Sequence, residues 1–581
     1  MNFFNDIFLN KKYNNYIFYL YGLINWLIIV ISLRNQRSYQ DSWILEDITI
    51  PILLFVIMFF VVVITETNSN RLALIATSFI ITLRLIPGLK YIRGYGTAVD
   101  IAVHTNATHH IMMTGFPLAD TPYSNVPGLH VLLSAIALVA NVTAEEVIKY
   151  GIPIITGITI LMTYFLYSQI DMDVALRNQI IISSALAFDP FFTELQTTSF
   201  GVIIIFIFFV WLLLRNFREK DIHLSLTISL ITTVIVLNFS HAVSSFIFMQ
   251  LLIIAILPLK LICRNSKIAN SMIRLIILSF VIFISWWMYQ AKYIFNTFVE
   301  GIGKLVFFNQ AEKPTLPNRL FEISILDIFK VIWMIHGNTV ILAIFSLVGI
   351  IIFWFYKRTF SQQFRETFFL FIVIESSLIL IVIAQLATHF GTLEYIRLFV
   401  YAVTICPIFV GITLWQIQKQ SIKIWRATLL IILILSLMQV FPYQPMMPIG
   451  TGLVKNMTYD EPILYLHTAA TNYIFNMAIF AQKHTIPSET RMVADRTTKN
   501  LLGRFWMLEK FEVGSVEDPK NPLDWGNWQV LFIHRPGIAG SLGEQFEVRN
   551  KKEINRIISE TDRSLVYNNG ETFILMRSQV K

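Results

Sequence analysis

Up to about residue 440 the chain is a succession of apolar runs of roughly 16 to 22 residues, each long enough to cross a hydrocarbon core of about 30 Å as a helix. Most of these runs carry no charge. With 55% of 581 residues hydrophobic and only 14% charged, the chain has too little polar surface to stay dissolved in water, and a bilayer is the better solvent. The formal net charge of +8 does not point to nucleic acid, because the Lys and Arg residues sit in short clusters between apolar runs, where they act as cytoplasmic anchors. Cys263 and Cys406 are the only cysteines, and one lies beside a basic stretch while the other lies inside an apolar run, so no disulfide framework is expected. Lys11 and Lys12 precede a long apolar run with no small-residue cleavage site, which predicts a retained signal anchor.

Spans are predicted near residues 16 to 33, 49 to 65, 71 to 88, 147 to 168, 177 to 190, 198 to 214, 222 to 240 and 243 to 260. Five more are predicted near 274 to 290, 338 to 356, 367 to 387, 397 to 416 and 426 to 440. The run from Val126 to Val142 is ambiguous: it is long enough to span, yet it follows Pro127-Gly128 and equally suits a helix lying along the interface. Charge decides, because counting it as a span reverses every later loop. If it does not span, Arg215, Arg218, Lys220, Lys260, Arg264, Lys267, Arg274, Lys357, Arg358, Arg365, Lys419, Lys423 and Arg426 all fall inside. The opposing short connections then contribute only Arg397. The expected fold is therefore an all-α polytopic membrane protein of about thirteen transmembrane helices, N-terminus inside and C-terminus outside. Arg34 and Arg37, which this parity puts outside, fit it less well.

With that sidedness the unusual polar residues gather at the non-cytoplasmic surface. The first large outer loop, residues 89 to 146, holds Asp100, His104, His109 and His110, followed by Pro127-Gly-Leu-His130. Asp100 and His104 are four apart and share a face if the segment is helical. Later outer connections offer Asp189-Pro190 and Glu194, then Ser240-His241, then His389, Glu394 and Arg397.

A carboxylate such as Asp100 can take a proton from an attacking hydroxyl, and the planar guanidinium of Arg397 is matched to a phosphate leaving group at headgroup level. Plainer roles exist for each. Asp189 before Pro190 also suits a helix cap, Arg397 can simply snorkel to headgroups or pair with Glu394, and the other histidines suit ordinary loop or interface positions. A divalent metal is compatible with these acids and imidazoles, but no compact ligand motif specifies one. Glu375 lies mid-span, where a charge costs about 2.5 to 3.5 kcal/mol on the insertion scale, and a structural role is open to it.

An Asp in the first large outer loop, a following Pro-Gly-Leu-His helix, a span closing on Asp-Pro and a Tyr-Ile-Arg entry to a late span resemble the GT-C superfamily. These are polyprenyl-phosphate-dependent membrane glycosyltransferases, including protein O-mannosyltransferases, aminoarabinose transferases and oligosaccharyltransferase catalytic subunits. The resemblance covers roughly residues 70 to 440, is one of layout, and leans to the prokaryotic, especially archaeal, branch. It implies transfer of a sugar at the outer face from a polyprenyl (dolichyl-type) phosphate donor to a lipid, glycan or protein acceptor. Carried over by position, Asp100 would be base or metal ligand, with His104, Asp189 and Glu194 beside it. Arg397 would bind the donor phosphate, with Glu394, His241 and His130 near the substrate. Three spans precede the acidic loop where many members have one, the loop lacks paired acids, and no tryptophan-rich sequon-reading motif is present, which favours a monosaccharide transferase.

After Val440 the apolar runs stop at a Pro-rich linker, Phe441-Pro-Tyr-Gln-Pro-Met-Met-Pro. Residues 441 to 581 are expected to form a small extracytoplasmic α/β domain that docks the acceptor or covers the cleft. It would have helices near 468 to 484 and 551 to 560, strands at 491 to 494 and 528 to 534, and a hairpin turning at Asn569-Gly570. No phosphate-cradling loop or nucleophile elbow occurs in it, and Asp495 and Asp524 suit turns and caps. Three sequons, at Asn106, Asn141 and Asn456, are too short a motif to inform alone. Two other readings stand beside the enzyme: a transporter or flippase, which also needs intramembrane polar groups such as Glu375, and a non-catalytic scaffold.

Overall fold

The computed structural model describes residues 11–34, 44–90, 98–117, 127–187, 207, 210, 224–240, 266–289, 325–388 and 394–440, together with five strands between 492 and 577. In hydrocarbon every backbone N–H and C=O has to pair within its own segment, so the apolar runs form helices. These are α1 (Lys11–Arg34), α2 (Ile44–Thr65), α3 (Ser69–Lys90), α4 (Ala98–Thr114), α5 (Gly128–Ala140) and α6 (Ala144–Ser168, with a π-helical turn at Val147–Gly151). There follow α7 (Val174–Ala187), α8 (Leu224–Ser240), α9 (Ser266–Tyr289), α10 (Ile325–Tyr356), α11 (Gln362–Thr388), α12 (Glu394–Gln420) and α13 (Ile422–Val440). The predicted spans at 198 to 214 and 243 to 260 lie outside the described residues, apart from residues 207 and 210, which are helical. The rest fall on helices, residues 188 to 190 of the fifth span lying outside the described residues, and α10 begins well before residue 338.

Among the described residues three stretches are long and apolar enough to cross a membrane, Asn15–Leu33, Ala144–Ser168 and Val340–Thr359, and several shorter apolar helices accompany them. The solvent is written on α1. Tyr16, Tyr19, Leu20, Leu23, Trp26, Leu27, Val30 and Leu33 form an exposed stripe at helical spacing, while Tyr21, Ile28 and Ser32 face inward. A helix with a continuous apolar stripe on its outer face is not stable against water, and a bilayer supplies the apolar cover that its length suits. The ambiguous run forms α5, whose 13 residues span about 20 Å at 1.5 Å per residue, too short to cross a core of about 30 Å.

Close helix contacts make the bundle. The Tyr21 and Phe55 rings stack at 5.2 Å and the Phe59 and Phe79 rings at 3.8 Å, joining α1, α2 and α3. A side chain at Gly349 on α10 would collide with the Phe409 carbonyl of α12, so only glycine permits that crossing. One end of the bundle is laced together by side chains from short connections. The Ser69 hydroxyl donates to Asn178 Oδ1 at 2.5 Å, and Asn178 Nδ2 donates to the Thr67 carbonyl at 3.0 Å. The Ser361 hydroxyl donates to the Asp171 carbonyl at 3.0 Å, and the Asp171 N–H donates to Gln363 Oε1 at 3.3 Å. Gln179 donates to Gln418 Oε1 at 3.1 Å and accepts the Trp425 indole N–H at 2.8 Å. These bonds bring the connections after α2, α6, α10 and α12 to the same end of the bundle. Cations meet aromatic rings there: Lys419 lies 3.6 Å from the Trp415 ring and Lys357 4.5 Å from that of Trp354.

Beyond the helices, β1 (Met492–Ala494), β2 (Val513–Ser515), β3 (Val530–His534), β4 (Arg563–Asn568) and β5 (Thr572–Arg577) form one sheet in the order β2-β1-β3-β5-β4. The expected strands correspond to β1 and β3 and to the β4–β5 hairpin; β2, the short Val-Gly-Ser, gives no alternating pattern and is new. Asn568 pairs with Phe573, not with Glu571 as a two-residue turn on Asn569-Gly570 requires, and a bulge between Leu565 and Tyr567 shifts the register. The helices expected at 468 to 484 and 551 to 560 lie outside the described residues.

Candidate functional site

Residues 98 to 114, in the connection between α3 and α6, are helical, so Asp100 stands on the first turn of α4 and His104 one turn later. Helical spacing puts the two on one face of the backbone. His104 and His130 are almost wholly buried, at 3% and 1% exposure. Their Nδ1 and Nε2 atoms lie 2.9 Å apart, with the rings stacked at 5.1 Å. One turn further along both helices the Ser134 hydroxyl reaches the Thr108 carbonyl at 2.9 Å, sharing its hydrogen with the His130 carbonyl at 2.6 Å. The α4–α5 seam thus has two polar rungs, each four residues apart on both helices.

Burial pushes the His130 imidazole down to about 4, so it is neutral near pH 7. In the pair, one ring N–H donates to the lone pair of the other. Among the described residues no group of three or more His, Cys, Asp or Glu is placed to hold a metal. The imidazole nitrogens that face each other are engaged with one another, and a metal between them would have to replace that contact.

The start of α5 docks on the end of α8. A Cβ added to Gly128 would lie 2.9 Å from Ser240 Cα and 3.0 Å from the Phe239 carbonyl oxygen, so this approach needs glycine. The Phe239 ring in turn meets Trp286 edge-on at 4.2 Å, which joins the ends of α8 and α9. Asn141, in the left-handed conformation at φ 53°, closes α5, with the Val142 N–H donating to the Ala137 carbonyl at 3.0 Å. Thr143 then caps α6 through a reciprocal pair of bonds with Glu146. The Asn141 sequon is thereby occupied by two capping residues, and the Asn106 sequon ends on Thr108, which is wholly buried.

Glu394 and Arg397 belong to the first turn of α12, and its last turns carry Gln418 and Lys419 at the laced end. At 27 residues this helix is about 40 Å long, so its first turn stands at the opposite end of the bundle. The start of α6, to which α5 leads through Asn141 to Thr143, lies at that opposite end as well, since Tyr164 and Asn70 meet near the laced one. Asp189, Glu194, His241 and His389 lie outside the described residues. The structure therefore brings His104 and His130 together and sets Ser240 against the start of α5, the helix of His130. Ser134 and Thr108 were not singled out in the sequence. Their signal is there, in polar residues exactly one turn after each histidine.

No family model and no curated protein matches the chain. Solved structures do. The Archaeoglobus fulgidus oligosaccharyltransferase, crystallised with Zn and sulfate, matches at 11% identity and a TM-score of 0.48, over 80% of this chain and 68% of that one. ArnT from Cupriavidus metallidurans bound to undecaprenyl phosphate matches at 10% identity and a TM-score of 0.43, over 87% of this chain and 97% of that one.

Proposed function

We propose that the protein is a membrane glycosyltransferase that moves a sugar from a polyprenyl phosphate donor to an acceptor at the non-cytoplasmic face. The observation that carries this reading is the joining of α4, one turn from Asp100, to α5 through His104 and His130, with the start of α5 docked on the end of α8. It gathers polar groups of the first outer loop at the end of the bundle where α12 begins with Glu394 and Arg397.

In the proposed reaction an acceptor hydroxyl attacks the anomeric carbon of the donor sugar. Asp100 takes the hydroxyl proton, the bond from that carbon to the phosphate oxygen breaks, and the polyprenyl phosphate leaves against the Arg397 guanidinium. Asp189 and Glu194 assist as second-loop acids, and a divalent metal bound by the loop acids would supply further charge stabilisation. His104 and His130 hold the helix that bears Asp100 and exclude water beside it. The apolar exterior accommodates the polyprenyl chain, residues 441 to 581 lie on the outer side as a domain serving the acceptor, and the bundle of residues 1 to 440 supplies the catalytic cleft. The test is transfer from a panel of polyprenyl-phosphate sugars in membranes containing the wild type or Asp100→Asn. Transfer by the wild type that falls at least about 100-fold in the variant supports the base role; undiminished transfer removes it.

A further inference from the structure

One half-buried acid takes no part in that chemistry. Glu375 is the middle residue of the 27-residue α11. Its Oε2 atom is buried and makes no hydrogen bond among the described residues, and no ion pair to it is found there. One turn before it, Phe371 packs edge-on against Tyr167 of α6 at 5.9 Å. Tyr167 is bonded through its hydroxyl to the residue before Cys406 of α12, which sets both near this part of α11.

The surroundings are polar, and among the described residues no cation is paired with this carboxyl. The Tyr167 hydroxyl donates to the Ile405 carbonyl at 3.4 Å, and Cys406 Sγ lies 2.9 Å from the Ser346 hydroxyl of α10. Pro407, inside α12, has no N–H, so the carbonyl one turn earlier lacks its usual helical donor. Ile379 and Leu380, the next turn of α11, are exposed, which sets Glu375 close to the lipid boundary of the bundle. In hydrocarbon a carboxyl without a cation persists as the uncharged acid.

We propose that Glu375, with Tyr167 and Cys406 beside it, forms an intramembrane acid site that is modified by hydrophobic carbodiimides entering from the lipid. The reaction balances without a co-reactant. The carboxyl proton moves to one carbodiimide nitrogen, the carboxyl oxygen bonds to the central carbon, and one C=N bond becomes single. The acyl group then migrates from oxygen to nitrogen to leave a stable N-acylurea, with no leaving group. Surface carboxyls lose the same intermediate to water, whereas a dry site retains it. Sugar transfer is not part of the premise, so the site stands or falls independently of the function proposed above.

The experiment treats the full-length protein in lipid nanodiscs with dicyclohexylcarbodiimide, or with a water-soluble carbodiimide at the same concentration, and maps adducts by peptide mass spectrometry. The expected result is one dicyclohexyl adduct on the peptide containing Glu375, absent with the soluble reagent and lost in Glu375→Gln. Because the adduct is located on the wild type, a variant that fails to fold leaves the test intact. An unlabelled Glu375, or equal labelling by the soluble reagent, would overturn the proposal.

Discussion

The two ends of the bundle are built differently. At one, short connections are stitched by amide, hydroxyl and indole groups, with Asn178 and Gln179 each bonded to two partners from other helices or connections. At the other, a long connection folds into α4 and α5, joined by two polar rungs and set against α8 by a glycine. The first end fixes helix positions with bonds between side chains and short connections of neighbouring helices. The second builds a separate layer on top of the spans, which is what a surface needs if it is to bind something. The contrast predicts that substitutions at the first end cost stability and leave turnover alone, that loss of the Asp100 carboxyl at the second end does the reverse, and that the seam beneath it adds only modest stability of its own.

The largest expected effect is at the site end. Asp100→Asn should lower sugar transfer about 100-fold or more while the thermal midpoint in detergent stays within a degree or two of the wild type. Loss of both together would make Asp100 a structural residue. At the laced end, Gln179→Leu strands the Trp425 indole N–H and the Gln418 amide, at a cost of about 1 to 3 kcal/mol. Urea unfolding should report that loss with unchanged transfer per folded molecule; a fall in transfer would blur the division.

How much of this was legible in the sequence depends on the range of the signal. A span is declared by its own twenty or so residues, so helices such as α1 and α11 could be read directly. The α5 run could not be settled from hydropathy, because only its break at Asn141, a left-handed residue, makes it too short to span. His104 and His130 were both visible as candidates, but they lie 26 residues apart and nothing local announces that their rings meet. The β4–β5 hairpin was signalled by Asn569-Gly570, yet its register follows a bulge that no dipeptide encodes. The short strand β2 depends on pairing with β1 for its existence.

The seam offers a pH handle that separates the ends further. The folded-state value of His130 lies below its unfolded value of about 6.5, so the unfolded chain binds the extra proton between the two. Stability should therefore be full above about pH 6.5 and fall as pH drops toward about 4, by about 3 kcal/mol at most. His130→Gln should flatten that slope in a pH series of thermal midpoints; an unchanged slope would assign it to other groups. The smallest expected effect is Ser134→Ala, which removes the second rung and should cost about 1 kcal/mol by urea unfolding. A cost indistinguishable from zero would mean the histidine rung holds the seam alone.

The central claim, that Asp100 and Arg397 serve one outer cleft, is tested most directly by an experimental structure in a lipid nanodisc with a polyprenyl phosphate added. The account predicts the phosphate on the Arg397 guanidinium, with the Asp100 carboxyl lining the same cavity. Asp100 and Arg397 on unconnected surfaces, or a phosphate bound at the laced end, would contradict it.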